Sequence, residues 1–181
     1  FFPEMGEERK DGKVTIKNML TMSTGSNWNE SYYNPFAITA EAYYGDDLFK
    51  TAFKQRQMRE PGKVFSYLSG TTQLLGMTVS RAVGQSLSTY ASEKLWIPLG
   101  AETEALWSLD HEEGIEKAYC CFNATARDFA RIGQLVLQKG MWNGVQLLNA
   151  DYIAAMTTAH HIPDEYGHDV DYYGYQWWIE Q

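Results

Sequence analysis

In this 181-residue sequence, three groups of side chains are capable of chemistry by type and spacing. The first is His160, His161 and His168, with Asp164, Glu165 and Asp169 close by, ligand types that suit a divalent cation. Adjacent histidines rarely both reach one ion, and no pattern of partners that would orient the rings is visible. The cluster therefore reads as an exposed polar loop, and no metal is assigned to it. The second group is Cys120-Cys121, two neighbours that cannot build a disulfide framework and that read as small buried hydrophobes. The third is aromatic. Trp28, Tyr32 and Tyr33 follow Gly25, and a tyrosine- and tryptophan-rich run extends from Tyr172 to Trp178. Either run suits a core or the wall of a substrate cleft. Tyr67, taken by itself, is an ordinary half-buried tyrosine, and Thr125 with Asp128 reads as a helix cap.

The elements that must hold these groups are mostly helical. Thr15 precedes Ile16, Met19 and Leu20, with Gly25 beyond, the outline of a short capped helix. Asn34-Pro35 offers a cap and a first-turn proline. Asp46 opens a segment with Leu48, Phe49, Ala52 and Phe53 on one face and Lys50, Lys54 and Arg56 on the other. Pro61-Gly62 is a turn, followed by a short extended piece from Val64 to Tyr67. The spacing of Leu74, Leu75, Val79 and Val83 predicts a helix over Thr71–Val83, stopped by Gly84. Ser86 caps a helix that ends at Pro98 and Gly100. Thr125 and Asp128 open a helix that runs to Gly140, and Asn149 caps a last one. Tyr173, Tyr175, Trp177 and Ile179 alternate with Gly174, Gln176 and Trp178, which reads as a strand. A lone strand expects a sheet to join, so the chain reads as cut within a domain.

Composition narrows the function. A formal charge of −8, from 15 Lys+Arg against 23 Asp+Glu with no basic stripe, argues against nucleic-acid phosphate as a partner. The longest apolar runs, such as Ala118 to Phe122, fall far short of the roughly 18–20 residues of a membrane span. The opening Phe1-Phe2-Pro3 carries no initiator methionine and no charged leader pattern.

The stretch from Pro61 to Gly76, PGKVFSYLSGTTQLLG, resembles the middle motif of the serine β-lactamase-related hydrolases, the group of class C β-lactamases, esterases and penicillin-binding proteins. There a Pro-Gly turn and an aromatic lead into Tyr-x-Asn or Tyr-x-Ser at the start of a Leu-Leu-Gly helix. Three further stretches resemble the same family in the same order. They are IKNMLTMSTG from Ile16, GQSL from Gly84 with WIPLG from Trp96, and ATARDFARIG from Ala124. The wording is similar to the esterase and 6-aminohexanoate-dimer hydrolase branch.

The resemblance implies a predominantly α chain, the helical region of an α+β serine β-lactamase/transpeptidase-like fold, with a short C-terminal strand from its antiparallel sheet. Residues 1–181 would form a single region of one partial domain, completed by the remainder of that domain. It also implies a reaction: cleavage of an ester or amide in a small-molecule substrate through an acyl-serine intermediate, without metal or organic cofactor. Acyl transfer by serine needs a nucleophile, a group that moves its proton and donors for the oxyanion. In the family, Ser-x-x-Lys supplies the first, and the motif tyrosine relays the proton. Tyr67 matches that tyrosine as the catalytic candidate, and Ser69 and Trp28 are the candidates for substrate binding. Ser69 stands where many relatives carry asparagine. No Ser-x-x-Lys occurs in the 181 residues, Thr51-Ala52-Phe53-Lys54 being the nearest and out of order. The family's third motif, a strand with Lys- or His-x-Gly after the aromatic run, does not occur before Gln181. Taken alone, the chain is expected to hydrolyse nothing. A non-catalytic ligand- or peptidoglycan-binding domain of the same fold is the alternative, and a periplasmic or secreted location goes with either.

Overall fold

The computed structural model describes Phe2 and residues 14–180, so of the opening Phe1-Phe2-Pro3 only Phe2 falls among the described residues. Seven α-helices are found there: α1 (Ile16–Leu20), α2 (Ile38–Tyr44), α3 (Leu48–Phe53), α4 (Ser69–Val83), α5 (Leu87–Ala91), α6 (Ala126–Leu137) and α7 (Ala150–Met156). A π-helical turn at Ser92–Trp96 extends α5. Strand content is small. Strand β1 (Leu106–Trp107) pairs antiparallel with β2 (Phe122–Asn123), and β3 (Met141–Trp142) pairs with β4 (Val145–Gln146).

Most helices start where the sequence places a cap. Thr15 accepts from the Asn18 N–H while the Asn18 side chain accepts from Thr15, a reciprocal box around α1. Ser86, Thr125 and Asn149 accept from N–H groups in the first turns of α5, α6 and α7. Two starts differ. The cap of α3 is Asp47, one residue past Asp46. Asn34-Pro35 makes a turn instead of opening α2: the Asn34 side chain accepts from Phe36 and its carbonyl from Ala37, so the helix begins at Ile38.

Helix α4 is the spine of the molecule. Its Leu74 and Met77 pack on Met19 of α1 and Ala52 of α3. Where α4 begins, Leu68 joins Trp28, Ala42 and Leu48 in a second buried cluster. A third holds Met22, Phe65, Val170 and Tyr173. Each leucine, methionine or phenylalanine buried in this way contributes about 1.5–3 kcal/mol. Gly76 lets α4 approach the loop after β1, because a Cβ there would lie 2.4 Å from Cβ of Ala118.

The aromatic end of the chain is the element that departs from expectation. In place of a continuous strand, residues 173–178 fold back on themselves and leave one antiparallel bridge, Tyr173 with Trp178. The Gly174 N–H donates to the Trp177 carbonyl and the Ile179 N–H to the Tyr172 carbonyl, around a Gln176 with positive φ. Backbone groups that would extend a ladder are spent within this tight reversal. Its Gln176 side chain reaches out instead, donating to the Met19 carbonyl and accepting from the Thr72 hydroxyl.

Candidate active site

The segment before α4 is extended, so Phe65 and Tyr67 share one face. Two backbone bonds hold it, from the Phe65 N–H to the Pro163 carbonyl and from the Ser66 N–H to the Met22 carbonyl, both 2.8 Å. Phe65 turns into the core and meets the Tyr173 ring at 5.1 Å. Tyr67, one step nearer solvent, is 44% exposed, edge-on to Tyr173 at 6.0 Å and tilted against Trp178 at 5.2 Å.

Two residues on, Ser69 is the first residue of α4. Its predecessor Leu68 has no capping oxygen, and the exposed N–H groups of a helix start need an acceptor. Glu30, 39 residues earlier, supplies it. One carboxylate oxygen accepts a short hydrogen bond from the Ser69 N–H, and the other accepts from the Ser69 hydroxyl at 3.1 Å. The same oxygen accepts from the Tyr32 hydroxyl at 2.5 Å, which also lies 3.3 Å from Ser69 Oγ. A negative charge at this end of a 15-residue helix is favoured by the helix dipole. The bond to Glu30 raises the Tyr32 pKa above its ordinary value, because losing that proton would place two anions together.

Tyr67 and Ser69 lie on the wall of one cavity of about 350 Å³, with Tyr32, Tyr43, Tyr44, Tyr119 and Cys120 around it. The Tyr119 hydroxyl is buried and has no hydrogen-bond partner. Burial pushes its pKa up to about 12, so at neutral pH it keeps its proton as a buried donor without an acceptor. Lys117 props the wall from behind, its ammonium donating to the Tyr43 carbonyl at 2.6 Å and lying 4.9 Å from the Tyr43 ring centre. Buried Gln73 of α4 ties this loop down. Its amide donates to the Glu116 carbonyl at 3.1 Å and its oxygen accepts from the Ala118 N–H at 2.8 Å.

The cysteines correct the sequence reading. They are not two separate buried thiols: Cys120 and Cys121 are half-buried and bonded to each other as a disulfide. Side chains of neighbours in extended chain point opposite ways. Cys121, at φ 66°, leaves the extended region and brings the two sulfurs to one side.

Trp28 is placed differently from Tyr67 and Ser69. It is 4% exposed and packs beneath the start of α4, where a Cβ on Gly70 would lie 2.2 Å from its ring. It thus backs the residues that line the cavity and is not itself part of the lining. The histidines separate: His161 pairs with Asp169 at 2.7 Å, His168 with Asp164 at 3.3 Å, and His160 stacks on Tyr175 at 4.3 Å. Among the described residues, no group of three or more His, Cys, Asp or Glu stands close enough to hold a metal ion. Glu30 and Tyr119 escaped the sequence reading. The only local signal for either is proximity in sequence to a residue already singled out, Glu30 to Trp28 and Tyr119 to Cys120.

A family model described as Beta-lactamase matches residues 3–181. The 6-aminohexanoate-dimer hydrolase of Paenarthrobacter ureafaciens is 25% identical over 175 residues, covering 86% of this chain and 42% of that protein. A solved structure from Bacillus anthracis, provisionally assigned as a 6-aminohexanoate-dimer hydrolase, is similar with a TM-score of 0.80 and 29% identity, covering 96% of this chain and 50% of that one. A penicillin binding protein from Bacillus halodurans shares the fold, with a TM-score of 0.67 and 19% identity over 96% of this chain and 60% of its own. The chain thus spans about half the length of the relatives it matches.

Proposed function

The chain belongs to the Beta-lactamase family, and from that premise we propose that it supplies the tyrosine-bearing wall of a serine hydrolase site that cleaves an ester or amide through an acyl-serine intermediate. The observation that carries this reading is Tyr67 standing half-exposed at the N-terminal end of α4, on the same cavity wall as Ser69. The Ser-x-x-Lys pair would come from outside residues 1–181, in the half of the domain that the relatives possess and this chain does not span. As the serine oxygen adds to the carbonyl carbon, its proton passes to the Tyr67 oxygen while the Tyr67 hydroxyl hands its own to the neutral amine of the pair's lysine, and the relay then runs back from that ammonium through Tyr67 to the departing oxygen or nitrogen. Water then attacks the acyl-serine ester by the reverse relay. Ser69, held by Glu30, lines the binding side. Trp28 serves by holding the Ser69–Gly70 turn from behind. No cofactor enters the scheme, and the substrate is a small molecule with an apolar or aromatic portion that fits among the tyrosines.

One observation favours a second reading, a ligand- or peptidoglycan-binding domain without catalysis: the 181 residues hold no Ser-x-x-Lys. A single experiment separates the two. The parent protein is assayed with a 4-nitrophenyl ester, and Tyr67→Phe is compared with the unaltered protein. Loss of a proton relay lowers kcat by about 10²–10⁴ and leaves the melting temperature nearly unchanged, since little volume is removed. Turnover of Tyr67→Phe within about threefold of the parent removes the catalytic role, and no turnover by the parent protein favours the binding domain.

A further inference from the structure

We propose that Cys120–Cys121 is a reversible thiol–disulfide exchange site whose redox state sets the shape of the tyrosine-lined cavity. The bond sits where opening it would be felt. Cys120 lines the cavity directly, Tyr119 precedes it with a hydroxyl that has no partner, and Phe122 follows as the first residue of β2. On the far side the segment is pinned. The Trp107 ring N–H donates to the Cys120 carbonyl at 3.1 Å, and the Cys121 carbonyl accepts from the Ser108 N–H at 3.1 Å and the Asn123 side chain at 3.0 Å. On the cavity side the Tyr119 hydroxyl makes no hydrogen bond, and its ring is held by packing alone against the cluster of Trp28, Ala42, Leu48 and Leu68.

The backbone supplies a reason to move. Cys121 holds φ 66°, a left-handed conformation that a residue with a side chain rarely adopts. The small ring closed by the two sulfurs keeps it there. Once the ring opens, Cys121 is free to return to extended backbone, carrying Cys120 and Tyr119 with it. Residues 1–181 contain no other cysteine, so exchange with a third thiol of this region cannot substitute for external chemistry. That chemistry is a dithiol reductant. Its thiolate attacks one sulfur to give a mixed disulfide, and its second thiol displaces the protein sulfur. The reductant leaves as a disulfide, and two electrons and two protons arrive on Cys120 and Cys121 as two thiols. An oxidised dithiol or diamide reverses the step. Both cysteines are half-buried and not sealed, as attack requires.

The test needs no hydrolysis and so stands or falls separately from the serine hydrolase reading. The full-length protein, purified without reductant and labelled with ¹³C-tyrosine, is treated with dithiothreitol and then with diamide. Differential alkylation with mass spectrometry follows the peptide that carries Cys120 and Cys121. Without reductant that peptide takes up no alkyl group, and with dithiothreitol under native conditions it takes up two. In the same samples the Tyr119 and Tyr67 ring resonances shift on reduction and return with diamide, while Tyr152 and Tyr175, at α7, stay in place. The double variant Cys120→Ser/Cys121→Ser shows the reduced-state resonances regardless of treatment. Alkylation without reductant, resistance to dithiothreitol in the folded protein, or reduction that leaves the Tyr119 and Tyr67 resonances unmoved each overturns the proposal. The wild-type redox cycle decides it even where the double variant fails to fold.

Discussion

Glu30 joins two residues that the chain order keeps apart, accepting from the N–H and the hydroxyl of Ser69 and from the hydroxyl of Tyr32. Replacing it by glutamine keeps an acceptor but removes the charge at the start of α4. Glu30→Gln should lower stability by about 1 kcal/mol, read as the urea midpoint. It should also bring the Tyr32 pKa down toward the ordinary tyrosine value, because the carboxylate that accepts its proton is the main cause of the rise. A ¹³C titration of the Tyr32 ring reads this directly, and an unchanged Tyr32 curve would refute the assignment. Gly70 makes a second prediction at this scale. A Cβ there falls 2.2 Å from a buried indole, so the ring or the helix start has to shift. Gly70→Ala should cost roughly 1–3 kcal/mol, and the cost should shrink when Trp28 is also made leucine, a coupling that a double-mutant cycle measures. Additive effects would mean that the contact is not the cause.

Several helices here are closed by acids from other parts of the chain. Asp110 accepts from the Leu48 N–H at the start of α3, and Glu116 accepts from the Ser88 N–H in α5, as Glu30 does for α4. Asp128 works the other way, reaching out from α6. It is buried and accepts from the Thr103 hydroxyl at 2.6 Å, the Glu102 N–H at 2.9 Å and the Thr125 hydroxyl at 2.8 Å, with Arg131 at 3.2 Å. The Thr103 hydroxyl and the other donors hold its pKa down to about 2. A carboxyl depressed in the folded state stabilises above its unfolded pKa of about 3.9 and loses that contribution as pH falls toward about 2. Melting temperature should therefore drop between about pH 4 and pH 2 in the parent, and Asp128→Asn should flatten that slope while lowering stability at neutral pH. An equal slope in both proteins would place the acid sensitivity elsewhere. The caps at Thr15, Ser86, Thr125 and Asn149 were legible because a cap and its target lie within one turn. The β3–β4 hairpin carries a local signal of the same reach, Asn143-Gly144, both at positive φ, between its strands.

Across the whole molecule, Tyr67, Tyr172 and Trp178 form an exposed aromatic face, with Tyr172 and Trp178 stacked 6.0 Å apart and Trp178 5.2 Å from Tyr67. Residues 1–181 purified alone should release no stoichiometric burst of 4-nitrophenol from 4-nitrophenyl acetate, since no Ser-x-x-Lys occurs among them. A burst of about one equivalent that one serine substitution abolishes would show a nucleophile within the chain. The sequence by itself determined the helical class, most helix starts and the four ordered motifs that identify the family, because periodicity, caps and short motifs act over a few residues. It also singled out Tyr67 and Ser69, which sit within one motif and so remain neighbours in any fold that preserves it. Tertiary structure decided the rest. Glu30 reaches Ser69, Trp28 lies under Gly70, and the Tyr119 hydroxyl is left without a partner only because of the path taken by the chain between them. The reversal at Gln176, which replaces a strand and sends its side chain to Met19 and Thr72, is likewise set by long-range packing that no local pattern encodes.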